Sequence, residues 1–188
     1  MVTIYLCTVE NGPCAVPNRT TEALVTELAQ NHIGGAVPEI LRQERGKPYF
    51  AGNGNIHFSV SHSGEYVAVA FAETPVGIDL QQHKCRGYET QADAVLRHKK
   101  LASRYFHPQE QAYLERDPWE GFFRIWTAKE SFVKRTGRGI DHGLCNICVL
   151  PQGEAWEDEN GFFRQATFSD YTLTLSTETS TEWEILDS

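Results

Sequence analysis

Two alternating runs, IHFSVS (56–61) and YVAVAFA (66–72), flank a tight Ser63-Gly64-Glu65 link. A period of two places every second side chain on one face of an extended strand, and a short Gly-containing link between two such runs is a hairpin signature. An isolated hairpin is at best marginally stable in water, so the chain has to supply more strands and a layer to cover them. After a break at Pro75, VGIDLQ (76–81) alternates again, with Val76, Ile78 and Leu80 on one face and Gly77, Asp79 and Gln81 on the other. A carboxylate and an amide on the same face of an apolar strand call for polar company from elsewhere in the chain.

The remaining segments divide between the two periodicities. IYLCTVE (4–10) reads as a first strand. RTTEALVTELAQNHI (19–33) carries Leu24, Leu28 and Ala29 near helical spacing, with Thr20 or Thr21 as N-cap and Gly34-Gly35 as the stop. A short apolar strand and a turn at Gly46-Lys47-Pro48 follow. Helices are expected over roughly 90–105, from HPQEQAYL (107–114), and through WEGFFRIWTAKESFVKRTG (119–137), which ends at Gly137. LCNICVL, FFRQATF and YTLTLST alternate as an antiparallel sheet would. The fold class is therefore α+β, with antiparallel sheets packed against helices.

The long helix raises a chemical question. Phe122, Phe123, Ile125, Trp126, Phe132 and Val133 form an apolar arc, with Arg124, Ser131 and Arg135 opposite. Lys129 falls inside that arc, while Glu130 and Lys134 share a stripe at its edge. A surface pair at i and i+4 is worth only about 0.3–0.5 kcal/mol, and it leaves Lys129 unexplained. In HFSVSHSG the alternation groups His57, Ser59, Ser61 and Ser63 against Phe58, Val60 and His62. Hydroxyl and imidazole groups beside a glycine turn can serve phosphate oxygens, although a histidine in a strand is more often structural.

Charge narrows the partners. The 188 residues carry a net charge of −8, against general nucleic-acid binding. Yet residues 84–138 hold 12 of the 17 Lys+Arg and 7 of the 25 Asp+Glu, a basic middle suited to a polyanionic ligand or an acidic partner, or a set of solvated helix faces. No run of about 18 apolar residues suggests a membrane span, and the first residues do not resemble a signal peptide. Five scattered cysteines fit reduced thiols and a cytoplasmic address. Cys145 and Cys148 have C-x-x-C spacing but no second pair to complete a zinc site, so LCNICVL is expected to form a buried strand.

Taken in order, Gly46-Lys47-Pro48, Phe58-Ser59-Val60-Ser61-His62-Ser63, Gly77-Ile78-Asp79-Leu80-Gln81 and the helix Trp126-Thr127-Ala128-Lys129-Glu130-Ser131-Phe132-Val133-Lys134 resemble the motifs of the surfactin-type 4′-phosphopantetheinyl transferases. Gly137-Arg138-Gly139-Ile140 resembles the loop that follows that helix in the family. The resemblance implies transfer of the phosphopantetheine arm of coenzyme A to a serine of an acyl or peptidyl carrier protein, with release of 3′,5′-ADP. It also implies dependence on Mg²⁺, with Mn²⁺ as a substitute, and a fold of two pseudo-symmetric α+β subdomains in one chain, divided here into 1–74 and 75–188. A monomer is expected, with no nucleic-acid or membrane partner.

Carried over by motif, Asp79 and Glu130 hold the metal, His62, Ser61 and Lys134 meet phosphates, Lys47 and Pro48 form the adenine-side turn, and Lys129 belongs to the site. Arg19 resembles the arginine that meets the 3′-phosphate of the coenzyme. Glu130 is the expected base, with Glu110 at the mouth of the site as the next candidate. Two departures stand out. The second strand carboxylate of the family is Gln81 here, whose carbonyl oxygen is expected to reach the metal through water, and the basic stretch that often precedes the first helix is absent. Gln81 and the short N-terminal half keep open a coenzyme- or carrier-binding protein without catalysis, and a third reading is an unrelated metal-dependent phosphate-bond hydrolase. Arg97, Lys99, Lys100 and Arg104 form the expected docking face for an acidic carrier.

Overall fold

The computed structural model describes residues 1–8, 20–52 and 56–187. Its chain runs β1 (Val2–Thr8), α1 (Thr21–Ile33), β2 (Ile40–Arg42), β3 (Pro48–Phe50), β4 (His57–Ser63), β5 (Tyr66–Ala72) and β6 (Gly77–Gln82). It continues through α2 (Gln91–Tyr105), α3 (Pro108–Leu114), α4 (Glu120–Thr136), a 3₁₀ turn (His142–Asn146), β7 (Ala155–Asp158), β8 (Gly161–Phe168), β9 (Tyr171–Thr177) and β10 (Trp183–Asp187).

Two four-stranded sheets carry the architecture, in the orders β10-β1-β5-β4 and β6-β9-β8-β7. Their common plan is a strand, a helical crossing, and a hairpin whose second strand returns antiparallel beside the first, as β5 does beside β1 and β9 beside β6. This is the repeated half that the resemblance implies. β10 pairs parallel with β1, so the outer strand of the first sheet comes from the far end of the chain.

Alternation along each strand separates three layers of core. Val2, Ile4, Ala68, Ala70 and Ala72 of the first sheet meet Ile78, Leu80, Leu173 and Leu175 of the second. The opposite face, with Val67, Val69 and Phe71, is covered by Leu24, Val25, Leu28 and Ala29 of α1. That helix starts on Thr20, whose hydroxyl accepts the Ala23 N–H, and stops at Gly34 with φ 68°. On the far side of the second sheet, α4 covers Gly77, Asp79 and Gln81 of β6 and the threonines of β9, with Thr127 hydrogen-bonded to Thr174 at 2.7 Å.

Two expectations for this half need correction. Arg124, Ser131 and Arg135 do not form an outer polar face: Ser131 and Arg135 are buried, and the Arg135 guanidinium donates to the carbonyls of Thr177 and Asn160. The helix is sandwiched between the sheet and other segments, so its polar residues are spent on internal partners. LCNICVL is not a strand either. Its backbone groups are engaged by buried side chains, as described below, and no ladder forms there.

Gly77 sets the approach of α4. Any Cβ there would overlap the Ser131 carbonyl and crowd the Arg135 amide, both backbone atoms that move only if the helix does. Gly77→Ala is expected to cost about 2–3 kcal/mol in urea unfolding, as overpacking does when nothing flexible yields. An unchanged unfolding midpoint would show that α4 is not held by this contact.

Candidate active site

A cleft of about 460 Å³ opens where the halves meet, lined by residues of α1, β2, β4, β6 and α4. Asp79 and Gln81 reach it from β6, Glu130 and Lys134 from α4, and Ser61 and His62 from β4; Pro48 of the Gly-Lys-Pro turn lies on its wall. A smaller adjoining recess contains Lys47, Arg45, Gly137 and Gly139. Thus Pro48, Ser61, His62, Asp79, Gln81, Glu130 and Lys134 share one cavity, with Lys47 beside it.

Each placement follows from local structure. The alternation of β6 sends Ile78 and Leu80 into the core and Asp79 towards α4, where it is 2% exposed. Glu130 and Lys134 lie one helical turn apart and so face the same way. The Lys134 ammonium donates to Asp79 Oδ1 at 2.7 Å, and Ser61 donates to the same oxygen at 2.7 Å. Gln81 Nε2 stands 3.4 Å from Oδ2. Among the described residues Glu130 lacks comparable company: burial first, and then the Asp79 charge, push its carboxyl up to about 7, against a smaller opposing pull from Lys134. At the edge of the recess Lys47 donates to the Arg135 carbonyl at 2.5 Å, near the C-terminus of α4. Burial, helped by Arg135, lowers the Lys47 ammonium to about 8.

Lys129 and Glu110 do not line this cleft. Successive helical residues point about 100° apart, so with Glu130 in the cleft Lys129 faces a different flank of α4. There both side chains are fully buried, 2.9 Å apart. The ammonium also donates to the carbonyls of Leu144 and Ile147, at 3.1 and 2.6 Å. Glu110 accepts from the amides of His107 and Val149, at 2.7 and 2.8 Å. These bonds use the backbone groups that would otherwise make LCNICVL a strand. Burial pushes Glu110 up and Lys129 down, and their mutual attraction opposes both shifts.

Arg19 lies outside the described residues. Sequence reasoning passed over Arg42 and Glu22, which also line the cleft and pair with each other at 2.7 Å. The one available signal was the position of Arg42 on the short strand leading into the Gly-Lys-Pro turn. On the basic stretch, Arg97 is tied to Glu89 and Lys99 to Glu115, each at 3.0 Å. Lys100 and Arg104 are exposed, near an exposed Leu96 on the same helix. No group of three or more His, Cys, Asp or Glu residues arranged to hold a metal occurs among the described residues, and none of their helices is long and apolar enough to cross a membrane.

Two acids and a lysine thus converge in a cleft between repeated α+β halves. The comparison with known families agrees: residues 75–184 match the 4′-phosphopantetheinyl transferase superfamily, and the chain belongs to it. It is 32% identical over 111 residues to a 4′-phosphopantetheinyl transferase of Bacillus subtilis, a match covering 57% of this chain and 45% of that protein. Identity to the 4′-phosphopantetheinyl transferase psf-1 of Bacillus pumilus is 37% over 106 residues, covering 54% and 41%. With the 4′-phosphopantetheinyl transferase AcpT of Escherichia coli O157:H7 it is 35% over 112 residues, covering 57% and 53%. The chain spans about half the length of these curated relatives.

Proposed function

We propose that this chain transfers the 4′-phosphopantetheine arm of coenzyme A to a serine hydroxyl of an apo acyl or peptidyl carrier protein, releasing 3′,5′-ADP. The observation that carries the reading is the meeting of Asp79 and Glu130 beside Lys134, in the cleft between the halves. The donor set suits Mg²⁺ or Mn²⁺: hard carboxylate oxygens, one of them pushed up by burial and by its neighbour, so that a positive charge between them would relieve the site. Asp79 and Glu130 would hold the ion, with Gln81 in its outer sphere and coenzyme phosphates and water completing it. Bound there, a divalent cation neutralises charge on the pyrophosphate.

The side chains of the chain then divide the remaining work. The carrier serine oxygen forms its bond to the phosphorus that bears the pantetheine arm, and the bond from that phosphorus to the departing 3′,5′-ADP breaks. The serine proton passes to the Glu130 carboxylate, directly or through water. Lys134 offsets the charge that grows on the leaving phosphate. His62 and Lys47 serve the coenzyme phosphates and its adenine side. The division at Thr74-Pro75, a cytoplasmic setting and a monomeric state belong to the same reading.

Incubation with coenzyme A, Mg²⁺ and an apo carrier domain is expected to add the mass of the arm, about 340 Da, to the carrier serine. Asp79→Ala should abolish the product, while Gln81→Glu should tighten the dependence on Mg²⁺. Gln81 favours a second reading, binding without catalysis, which predicts bound coenzyme and no product. Release of 3′,5′-ADP without a carrier would instead make the protein a hydrolase.

The carrier would dock on α2 through Lys100, Arg104 and Leu96, since Arg97 and Lys99 already have acidic partners. Lys100→Glu with Arg104→Glu is expected to raise the carrier KM by about 5- to 10-fold at low salt, and to leave the coenzyme A KM unchanged. Equal effects on both constants would remove this face from consideration.

A further inference from the structure

Edge strands β4 and β6, one from each sheet, lie side by side at the junction of the halves. The outward N–H groups of Ile78, Leu80 and Gln82 would be stranded there if no partner met them. Three serine hydroxyls meet them: Ser59 accepts from Ile78 at 3.1 Å, Ser61 from Leu80 at 3.1 Å and Ser63 from Gln82 at 2.9 Å. Every second residue of β4 thus stands in for the carbonyl of an ordinary ladder. The side chains nominated by the sequence as phosphate donors are in this structure the stitching between the halves.

Ser61 differs from the other two. Its hydroxyl has one hydrogen, and accepting from Leu80 leaves that hydrogen aimed at Asp79 Oδ1, 2.7 Å away. Both residues are buried, at 5% and 2% exposure, so water cannot readily replace the bond. With Lys134 also on Oδ1, that oxygen is committed to two donors. Among the described residues Oδ2 has no comparable donor, only the long approach of the Gln81 amide at 3.4 Å.

We propose that Ser61 is a positioning residue, which locks the Asp79 carboxylate so that Oδ2 is the oxygen presented to a divalent cation, whereas Ser59 and Ser63 only join the strands. The inference rests on the reading of Asp79 as a cation ligand. Partners that orient a ligating carboxylate commonly govern metal affinity by about 10- to 100-fold when removed. Loss of an inter-strand hydrogen bond alone has no such selectivity.

The three serines supply their own controls. Mn²⁺ binding, followed by electron paramagnetic resonance without coenzyme, is compared across Asp79→Ala, Ser59→Ala, Ser61→Ala, Ser63→Ala and Ser61→Thr, with thermal unfolding of each. Asp79→Ala should remove specific binding. Ser61→Ala should weaken it about 10- to 100-fold, Ser59→Ala and Ser63→Ala should stay within about twofold, and Ser61→Thr, which keeps the hydroxyl, should restore it. Ser59→Ala and Ser63→Ala should lower Tm by similar amounts, about 3–5 °C, and Ser61→Ala by somewhat more, since it removes a second buried hydrogen bond. If Ser61→Ala does not fold, Ser61→Cys replaces it, preserving the volume but offering a poor donor. Equal Mn²⁺ affinity of the Ser61 and Ser59 variants, with binding lost in Asp79→Ala, would overturn the positioning role while sparing the metal reading. Unchanged binding in Asp79→Ala would overturn both.

Discussion

Glu130→Gln is expected to abolish transfer and, at pH 8 without divalent cations, to make the protein more stable. The loss of activity follows from removing the proposed proton acceptor and cation ligand. The gain in stability follows from linkage. In the folded protein the Glu130 carboxyl holds its proton up to about 7, against 4.5 for an unperturbed glutamate, because burial and the Asp79 charge disfavour ionisation. Between those two values the folded state binds more protons than the unfolded one, so stability falls as pH rises. The penalty is absent at acidic pH, grows through the window and is complete above it. A shift of this size sets an upper bound of about 3 kcal/mol, and glutamine, which does not titrate, should recover about 1–3 kcal/mol at pH 8. Urea unfolding at pH 5 and pH 8 checks the sign: the advantage should vanish at pH 5. An equal effect at both values would mean that Glu130 carries no ionisation penalty. Saturating Mg²⁺ should narrow the difference at pH 8 by stabilising only the native protein with both carboxylates.

The second large effect lies on the other flank of α4. Lys129→Met or Glu110→Gln alone is expected to cost about 3–5 kcal/mol, since each removes one partner from a fully buried pair. Lys129→Met leaves a carboxylate among buried groups, so its cost should fall in acid, where Glu110 can take a proton. The paired substitution should cost less than the sum of the singles, and a double-mutant cycle in urea measures the difference. Strict additivity would show that the two side chains do not stabilise each other. Because neither residue lines the cleft, kcat per folded molecule should change far less than the yield of folded protein. This outcome separates a structural pair from the place in the site that the resemblance gave Lys129 and the base role it offered Glu110.

The legible parts of the chain share a physical property: their signals are local. The 56–72 hairpin, the Thr20 cap and Gly34 stop of α1, and the inward and cleft-facing alternation of β6 are decided by neighbours in sequence. The meeting of Asp79 with Glu130 is different, because 50 residues lie between the two acids, their motifs carry no geometric signal of proximity, and only the family resemblance joined them. Lys129 was legible as a buried lysine but not as the partner of Glu110, since that depends on a 3₁₀ turn whose carbonyls are recruited by the ammonium itself. LCNICVL has the pattern of a strand and fails to be one because buried side chains claim its backbone. The serines of β4 were read for their chemistry, when the unpaired amides of a distant edge strand decide their use. β7 and β10 escaped notice because both are short and weakly alternating.

β10 has a further consequence in time. Val2 sits opposite Trp183 and Ile4 opposite Ile185, so β1 waits for a strand synthesised about 180 residues later before its outer edge is paired. Until then β1 exposes a row of unpaired amides and carbonyls while the rest of the chain is being synthesised, a template for pairing with other chains. Contacts of such wide sequence separation also slow folding, because a long loop has to close before they form. The nascent chain therefore has a vulnerable interval that the finished fold no longer displays.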